Sequence, residues 1–250
     1  MAVDGVGGVG KTTLLHRHEY GVFDPDTKLT IGIDFFAKNY SLYGYNITSQ
    51  FWDMVGATRF NFLRPICYNG ANCLILVCDL TRPITFERID YFINVAKKTH
   101  ITPKQIILVG TKTDLYYERN VDSTYLSSIM EKYEISEFIE TSARNNHNID
   151  VLFELATTLA MYNKGMINNQ DFKYYKEIIK EKIKEPSPEP HEKLIRKCWK
   201  CGRSLFFYEF CDSNNQNYDE DRLLELWESE FLQFFCCSCY NELEGKNKSL

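Results

Sequence analysis

Gly5-Val6-Gly7-Gly8-Val9-Gly10-Lys11-Thr12-Thr13 decides the fold of this chain, because it fits G-x-x-x-x-G-K-[ST] at every constrained position and runs on into Leu14-Leu15. Glycines at 5, 7, 8 and 10 leave the backbone amides of Gly5, Gly7, Gly8, Val9, Gly10 and Thr13 free to wrap phosphate oxygens. Lys11 is placed to reach the β and γ phosphates, and the hydroxyl of Thr12 to coordinate Mg²⁺. Glycine-rich turns ahead of helices are common, so the motif gains its meaning only together with the rest of the chain.

Downstream, apolar runs alternate with amphipathic stretches as far as Tyr162, the pattern of strands and helices built around a mostly parallel sheet. Strands are expected near 34–43, 46–53, 73–79, 105–111 and 137–141, and helices near 11–20, 58–69, 85–99, 122–133 and 147–163. The runs 73–79 and 105–111 are continuously apolar, as befits strands covered on both faces. Polar groups follow the carboxyl ends of these strands, where open α/β sheets bind ligands. Asp53 closes one strand and can hold a Mg²⁺ shell, while Gly56 can bring its amide to a γ-phosphate. In Thr111-Lys112-Thr113-Asp114, the Asp114 carboxylate can accept from the N1 and exocyclic amino groups of guanine, a pairing adenine does not offer. The amides of Ser142, Ala143 and Arg144 can donate to guanine O6.

In this order, Gly5–Thr12, Thr30-Ile31-Gly32-Ile33-Asp34-Phe35, Trp52-Asp53 with Gly56, Lys112 with Asp114, and Ser142-Ala143 resemble a Ras-superfamily small GTPase over about residues 3–163. Thr30–Phe35, Tyr68-Asn69-Gly70-Ala71 and Leu76–Thr81 resemble the Rab branch. The resemblance implies an α/β fold of the P-loop NTPase type, a small G domain of six strands and five helices. It also implies that Thr30 binds Mg²⁺ and senses the γ-phosphate, that Phe23 packs edge-on against guanine, and that segments 23–35 and 54–68 switch with the nucleotide. The implied ligands are GTP or GDP with Mg²⁺, and the implied partners are effector and regulator proteins.

Four departures qualify that expectation. Ala57 stands where the family has the water-orienting glutamine, with Thr58 next to it in place of glutamate, so GTP binding with little turnover is expected. Arg59 is a substitute candidate for orienting water. Thr111 replaces the asparagine that stitches the base loop to the phosphate loop, at a cost of about 1 kcal/mol for a weakened bond. Arg144 replaces a lysine, a mild change where backbone does the recognition. Only Met1-Ala2-Val3-Asp4 precede the loop. Either the start lies upstream, the favoured expectation, or the first strand is short and the middle of the sheet thin.

Beyond the G domain (1–163), residues 164–197 read as an amphipathic helix, with Phe172, Tyr175, Ile179 and Ile183 at helical spacing, and then the proline-rich linker 185–190. Residues 198–250 hold six of the nine cysteines. The pairs Cys198/Cys201 and Cys236/Cys239 suit a closed, structural Zn²⁺ site, with Cys211 and Cys237 as substitutes. Cys67, Cys73 and Cys78 read as small buried hydrophobes. The segment 198–250 carries five Lys and Arg against ten Asp and Glu, enough to account for the chain's net charge of −5. A phosphate backbone would be repelled, which argues against nucleic acid and for a protein partner.

No apolar run approaches the roughly 20 residues of a bilayer span. Ala2 stands where myristoylation needs glycine, and Cys239 lies too far from Leu250 to be a prenylation signal. The expectation is a cytoplasmic protein with no direct lipid anchor, peripheral to membranes only through partners. The leading reading is a nucleotide switch that recruits effectors in vesicle traffic. The rival is a non-catalytic scaffold that uses the same domain and the cysteine module to bind proteins.

Overall fold

Every residue of Leu74–Asp79 (β4) and Ile106–Thr111 (β5) is buried, the fate of unbroken apolar runs sandwiched between helical layers. The computed structural model describes residues 1–25, 30, 32–115, 118–184, 195–202, 204–206 and the positions 222, 226, 229 and 234. Two compact units divide the chain, Met1–Pro186 and Ser187–Leu250.

In the first unit β4 and β5 belong to a six-stranded sheet in the order β2-β3-β1-β4-β5-β6. Its other strands are β1 (Ala2–Asp4), β2 (Ile33–Leu42), β3 (Tyr45–Met54) and β6 (Glu137–Glu140). All neighbours pair in parallel except β2 and β3, which form an antiparallel hairpin. Side chains alternate between the two faces. Val3, Ile75, Val77, Ile107 and Val109 meet Leu14 and Leu15 of α1 (Lys11–Tyr20) and Leu152, Phe153, Ala156 and Leu159 of α6 (Ile149–Asn163). Ala2, Leu74, Leu76, Cys78 and Leu108 point the other way, to Tyr68 of α2 (Arg64–Tyr68), Phe86 of α3 (Ile84–Glu87), Phe92 and Ile93 of α4 (Ile89–Lys98) and Leu126 of α5 (Ser123–Tyr133).

β1 is as short as the sequence implies, yet it occupies the centre of the sheet. Ala2, Val3 and Asp4 are sealed from solvent between Trp52-Asp53 of β3 and Leu74–Leu76 of β4. The Met1 carbonyl extends the pairing by accepting from the Trp52 amide at 3.0 Å.

Helix boundaries differ from expectation at two places. The segment expected as one helix over 58–69 is a 3₁₀ helix, Thr58–Leu63, that gives way to α2 where Pro65 falls in the first turn, a position that tolerates a missing N–H. The helix expected over 85–99 is broken at Arg88 into α3 and α4. A further helix, α7 (Asn169–Lys182), is capped by the Asn168 side chain, which accepts from the amides of Gln170 and Asp171. Its apolar stripe packs on the same unit: Phe172 stacks on Tyr162 at 4.6 Å, Tyr175 on Tyr43 at 3.5 Å, and Ile179 is fully buried. Among the described residues no helix is long and apolar enough to cross a membrane.

In the second unit, β7 (Ile195–Lys197) and β8 (Ser204–Phe206) form an antiparallel hairpin. Cys198 and Cys201 lie in its turn, Cys198 buried and Cys201 exposed, and the Gly202 amide closes the turn onto the Cys198 carbonyl at 2.9 Å. Gly202 has φ 73°, a left-handed conformation that favours glycine. Cys211, Cys236, Cys237 and Cys239 lie outside the described residues. Among the described residues no three metal-binding side chains cluster.

Candidate nucleotide site

The loop 5–10 leaves the central strand β1 and delivers the chain to the N-terminus of α1, so its amides and the positive end of the helix dipole share one small volume. Two glycines are required there by space alone. A side chain on Gly5 would place its first carbon 2.2 Å from the Val77 carbonyl oxygen, and one on Gly56 would place it 2.4 Å from the Gly7 amide nitrogen. Gly56 therefore brings the start of the 54–68 segment directly onto the phosphate loop.

Lys11 is buried and arches over the loop, its ammonium donating to the carbonyls of Gly5 and Val6, each at 2.9 Å. Burial pushes its pKa down, against the pull of Asp4 and Asp53. Beside it, three oxygen-bearing side chains from three elements meet. The Thr12 hydroxyl donates to Asp53 Oδ2 at 2.5 Å and lies 2.5 Å from the Thr30 hydroxyl, which is itself 3.3 Å from the same carboxylate oxygen. Asp53 Oδ1 is buried with no hydrogen-bond partner among the described residues. Burial raises the Asp53 pKa, opposed by the Thr12 hydroxyl and by Lys11. An unsatisfied buried carboxylate oxygen beside two hydroxyls is the donor set a hard cation such as Mg²⁺ takes.

A cavity of about 650 Å³ opens next to the loop. Its walls are Gly8, Val9, Gly10, Thr13 and Leu14 on one side, Phe23, Asp24 and Pro25 on another, and Thr111, Lys112, Asp114, Leu115, Ala143 and Arg144 on a third. Asp114 is aimed by Ser142, whose hydroxyl donates to its Oδ1 at 2.5 Å while accepting from the Asn145 amide at 3.1 Å. Ser142 is held in turn by reciprocal backbone bonds with His147 at 3.2 and 2.9 Å. The Thr111 hydroxyl reaches the phosphate loop, 2.7 Å from the Val9 carbonyl and 2.9 Å from that of Cys78. The stitch between the two loops is thus made by threonine, with one proton facing two carbonyls.

Ala57 is exposed and extended at φ −76°, ψ 135°, its methyl offering no polar group. The Arg59 guanidinium lies over its neighbour's ring, 4.9 Å from the centroid of Phe60. Lys112 is also committed: its ammonium is 2.9 Å from Asp79 Oδ2. Arg82, Asp4 and Arg64 carry functional contacts that no sequence motif marks. A charged residue beside an apolar strand end, as at Asp4 and Asp79, is a usable signal for such contacts.

A model of the Ras family matches residues 1–161. The Ras-related protein Rab-19 of Xenopus laevis is 30% identical over 197 residues, covering 76% of this chain and 90% of that protein. Human Rab-19 is 32% identical over 171 residues, 66% of this chain and 79% of its own length. The Dictyostelium discoideum protein Rab-11C is 34% identical over 158 residues, 63% of this chain and 70% of its own length. With its sheet order, its phosphate loop and these matches taken together, the chain belongs to the Ras family of small GTPases and is Rab-like within it.

Proposed function

We propose that this chain is a guanine-nucleotide switch that holds GTP far longer than it takes to bind it, and that recruits effector proteins in vesicle traffic while doing so. In this reading Gly5, Gly7, Gly8, Val9, Gly10, Lys11 and Thr13 hold the phosphates, Thr12, Thr30 and Asp53 hold Mg²⁺, and Gly56 meets the γ-phosphate. Phe23, Thr111, Lys112, Asp114, Ser142, Ala143 and Arg144 enclose guanine. When bound, Mg²⁺ neutralises phosphate charge, which this chain otherwise offsets with Lys11 and the loop amides. The observation that carries the reading is the meeting of Thr12, Thr30 and Asp53 within 3.3 Å, with one Asp53 oxygen left buried and unsatisfied. Slow turnover is the consequence of Ala57: intrinsic hydrolysis in this class is on the order of 10⁻⁴ per second even with the water-orienting glutamine, and a methyl group orients nothing.

Effector recruitment is supported by exposed apolar side chains. Phe35 is 65%, Trp52 41%, Phe62 66% and Ile66 69% exposed, with the Phe35 and Trp52 rings 6.3 Å apart. Phe35 and Trp52 lie on β2 and β3, and Phe62 and Ile66 in the 54–68 segment, so a partner that engaged both would sense that segment's position. In the second unit, the buried Cys198 and the glycine-closed turn support a zinc knuckle completed by Cys201, Cys236 and Cys239.

The test is to purify the full chain without added nucleotide, denature it, and identify what is released by chromatography and metal analysis. GDP or GTP with Mg²⁺, and about one Zn²⁺ per chain, is expected. No released nucleotide and no Mg²⁺-dependent GTP binding would overturn the switch. A second reading, a scaffold that binds proteins without cycling, is favoured by Ala57 and by the diversion of Arg59 onto Phe60. Stoichiometric GTP with no phosphate release is what a switch that scarcely turns over predicts, so it is the absence of bound nucleotide that would favour the scaffold.

A further inference from the structure

Arg82 lies just past the end of β4, outside every motif that makes up the nucleotide site. Its guanidinium nonetheless reaches the phosphate loop: Nη2 donates to the Gly8 carbonyl at 2.7 Å, and the guanidinium nitrogens line the space beside Gly8 where a side chain would have stood. The other end of the same fork donates through Nε to Asp79 Oδ2 at 2.7 Å. That carboxylate oxygen also takes the Lys112 ammonium at 2.9 Å, while Asp79 Oδ1 accepts from the amide and hydroxyl of Thr81 at 3.0 and 2.7 Å. Asp79 is wholly buried, whereas Arg82 and Lys112 are each about two-fifths exposed. A sealed carboxylate between two cations is a far stiffer joint than a surface pair, because the alternative is an unsatisfied buried charge.

We infer that Arg82 and Asp79 form a strut between the phosphate loop at Gly8 and the base loop at Lys112, and that Arg82 is a positioning residue for bound guanine nucleotide. The inference rests on the nucleotide-switch reading above. The strut runs from Gly8 through Arg82 and Asp79 to Lys112, and it parallels the link from Thr111 to Val9. It ties together two walls of the nucleotide cavity that come from different strands. Thr111 contributes a single proton to this union, and Arg82 adds a charge-assisted bond of the stronger kind. Loss of the strut loosens both walls at once and shortens nucleotide residence, without touching the base or the metal directly.

The test uses the full chain loaded with a fluorescent GDP analogue in excess Mg²⁺ and chased with unlabelled GDP. Arg82→Met keeps the aliphatic arm and removes every donor, and should release the analogue about tenfold faster, the size expected for one charge-assisted bond. Arg82→Lys, which restores one cation, should release it at an intermediate rate. Because R82M also leaves the buried Asp79 with one cation fewer, the nucleotide-free variant should melt lower than wild type, and the release rates are therefore compared at equal distance below each chain's melting temperature, where a purely structural role predicts equal rates. A wild-type chain that retains the analogue, with an R82M rate within twofold of it, overturns the strut alone. So do equal release rates when the two chains are compared at equal distance below their melting temperatures. A wild-type chain that never holds the analogue overturns the nucleotide reading, and the strut with it.

Discussion

The Asp4 carboxylate and the Arg64 guanidinium meet at 2.7 Å with both side chains sealed from solvent, joining the end of the central strand to the first residue of α2. Asp4 also accepts from the Gly5 amide at 2.7 Å and the Tyr68 hydroxyl at 2.9 Å, so every direction around it carries a donor. Burial pushes the Asp4 carboxyl up, and Arg64 pulls it back. Arg64 spreads its remaining donors to the Val55 carbonyl and the Asn61 side chain and lies over the rings of Phe92 and Tyr91. Breaking such a pair strands a buried charge, so Arg64→Met should cost about 3–5 kcal/mol in denaturant unfolding. The double variant D4L/R64M, which removes both charges, should recover at least half of that loss. Equal losses in the single and double variants would show that the pair's charge is not what matters.

Asp53 gives a prediction with opposite signs under two conditions. Its buried, unpartnered Oδ1 and raised pKa mark a charge held at a cost when no cation shares it. Asp53→Asn should therefore melt no lower than wild type in EDTA. With Mg²⁺ and GTP at a hundredfold excess over the dissociation constant, wild type should gain about 2.7 kcal/mol and D53N much less. Equal gains in thermal-shift measurements would remove Asp53 from the metal site.

Ala57→Gln restores the water-orienting group the family places there. Single-turnover phosphate release should rise by between about tenfold and a hundredfold, the lower range for a positioned polar group. Arg59→Ala should leave the rate unchanged, since Arg59 is stacked on Phe60. A large drop in R59A would make Arg59 the missing group.

His18 makes stability depend on pH. It is buried, stacked on Phe153 at 4.0 Å, with Nδ1 3.0 Å from Asp150 and Nε2 2.6 Å from the Tyr40 hydroxyl. Burial, reinforced by Lys38 and opposed by Asp150, lowers its pKa to about 4. The unfolded chain binds a proton near pH 6.5 that the folded chain refuses until about 4. This contribution is complete above the unfolded value and is lost as pH falls through that window. Urea midpoints should decline between pH 6.5 and 4, and His18→Gln should flatten the decline. An unchanged slope in H18Q would assign the acid sensitivity elsewhere.

The sequence by itself determined the class of fold and the ingredients of the site. Spacing, read together with the strand pattern downstream, identifies the phosphate loop, and unbroken apolar runs identify β4 and β5, because a strand covered on both faces can tolerate little else. Asp53, Lys112 and Asp114 could be named for the same reason: their chemistry is local to a strand end. What only the tertiary structure decided is how charges are shared between segments far apart in the chain. That Lys112 is tied to Asp79, that Arg82 closes on Gly8, and that Asp4 requires Arg64 depends on which strand ends become neighbours in the sheet. Hydrophobic periodicity fixes which residues turn inward, but it carries no record of which buried cation will face which buried carboxylate. The short β1 makes the same point. Four residues ahead of the loop leave room for only a short strand, yet three of them sit at the centre of the sheet, held by the edges of β3 and β4.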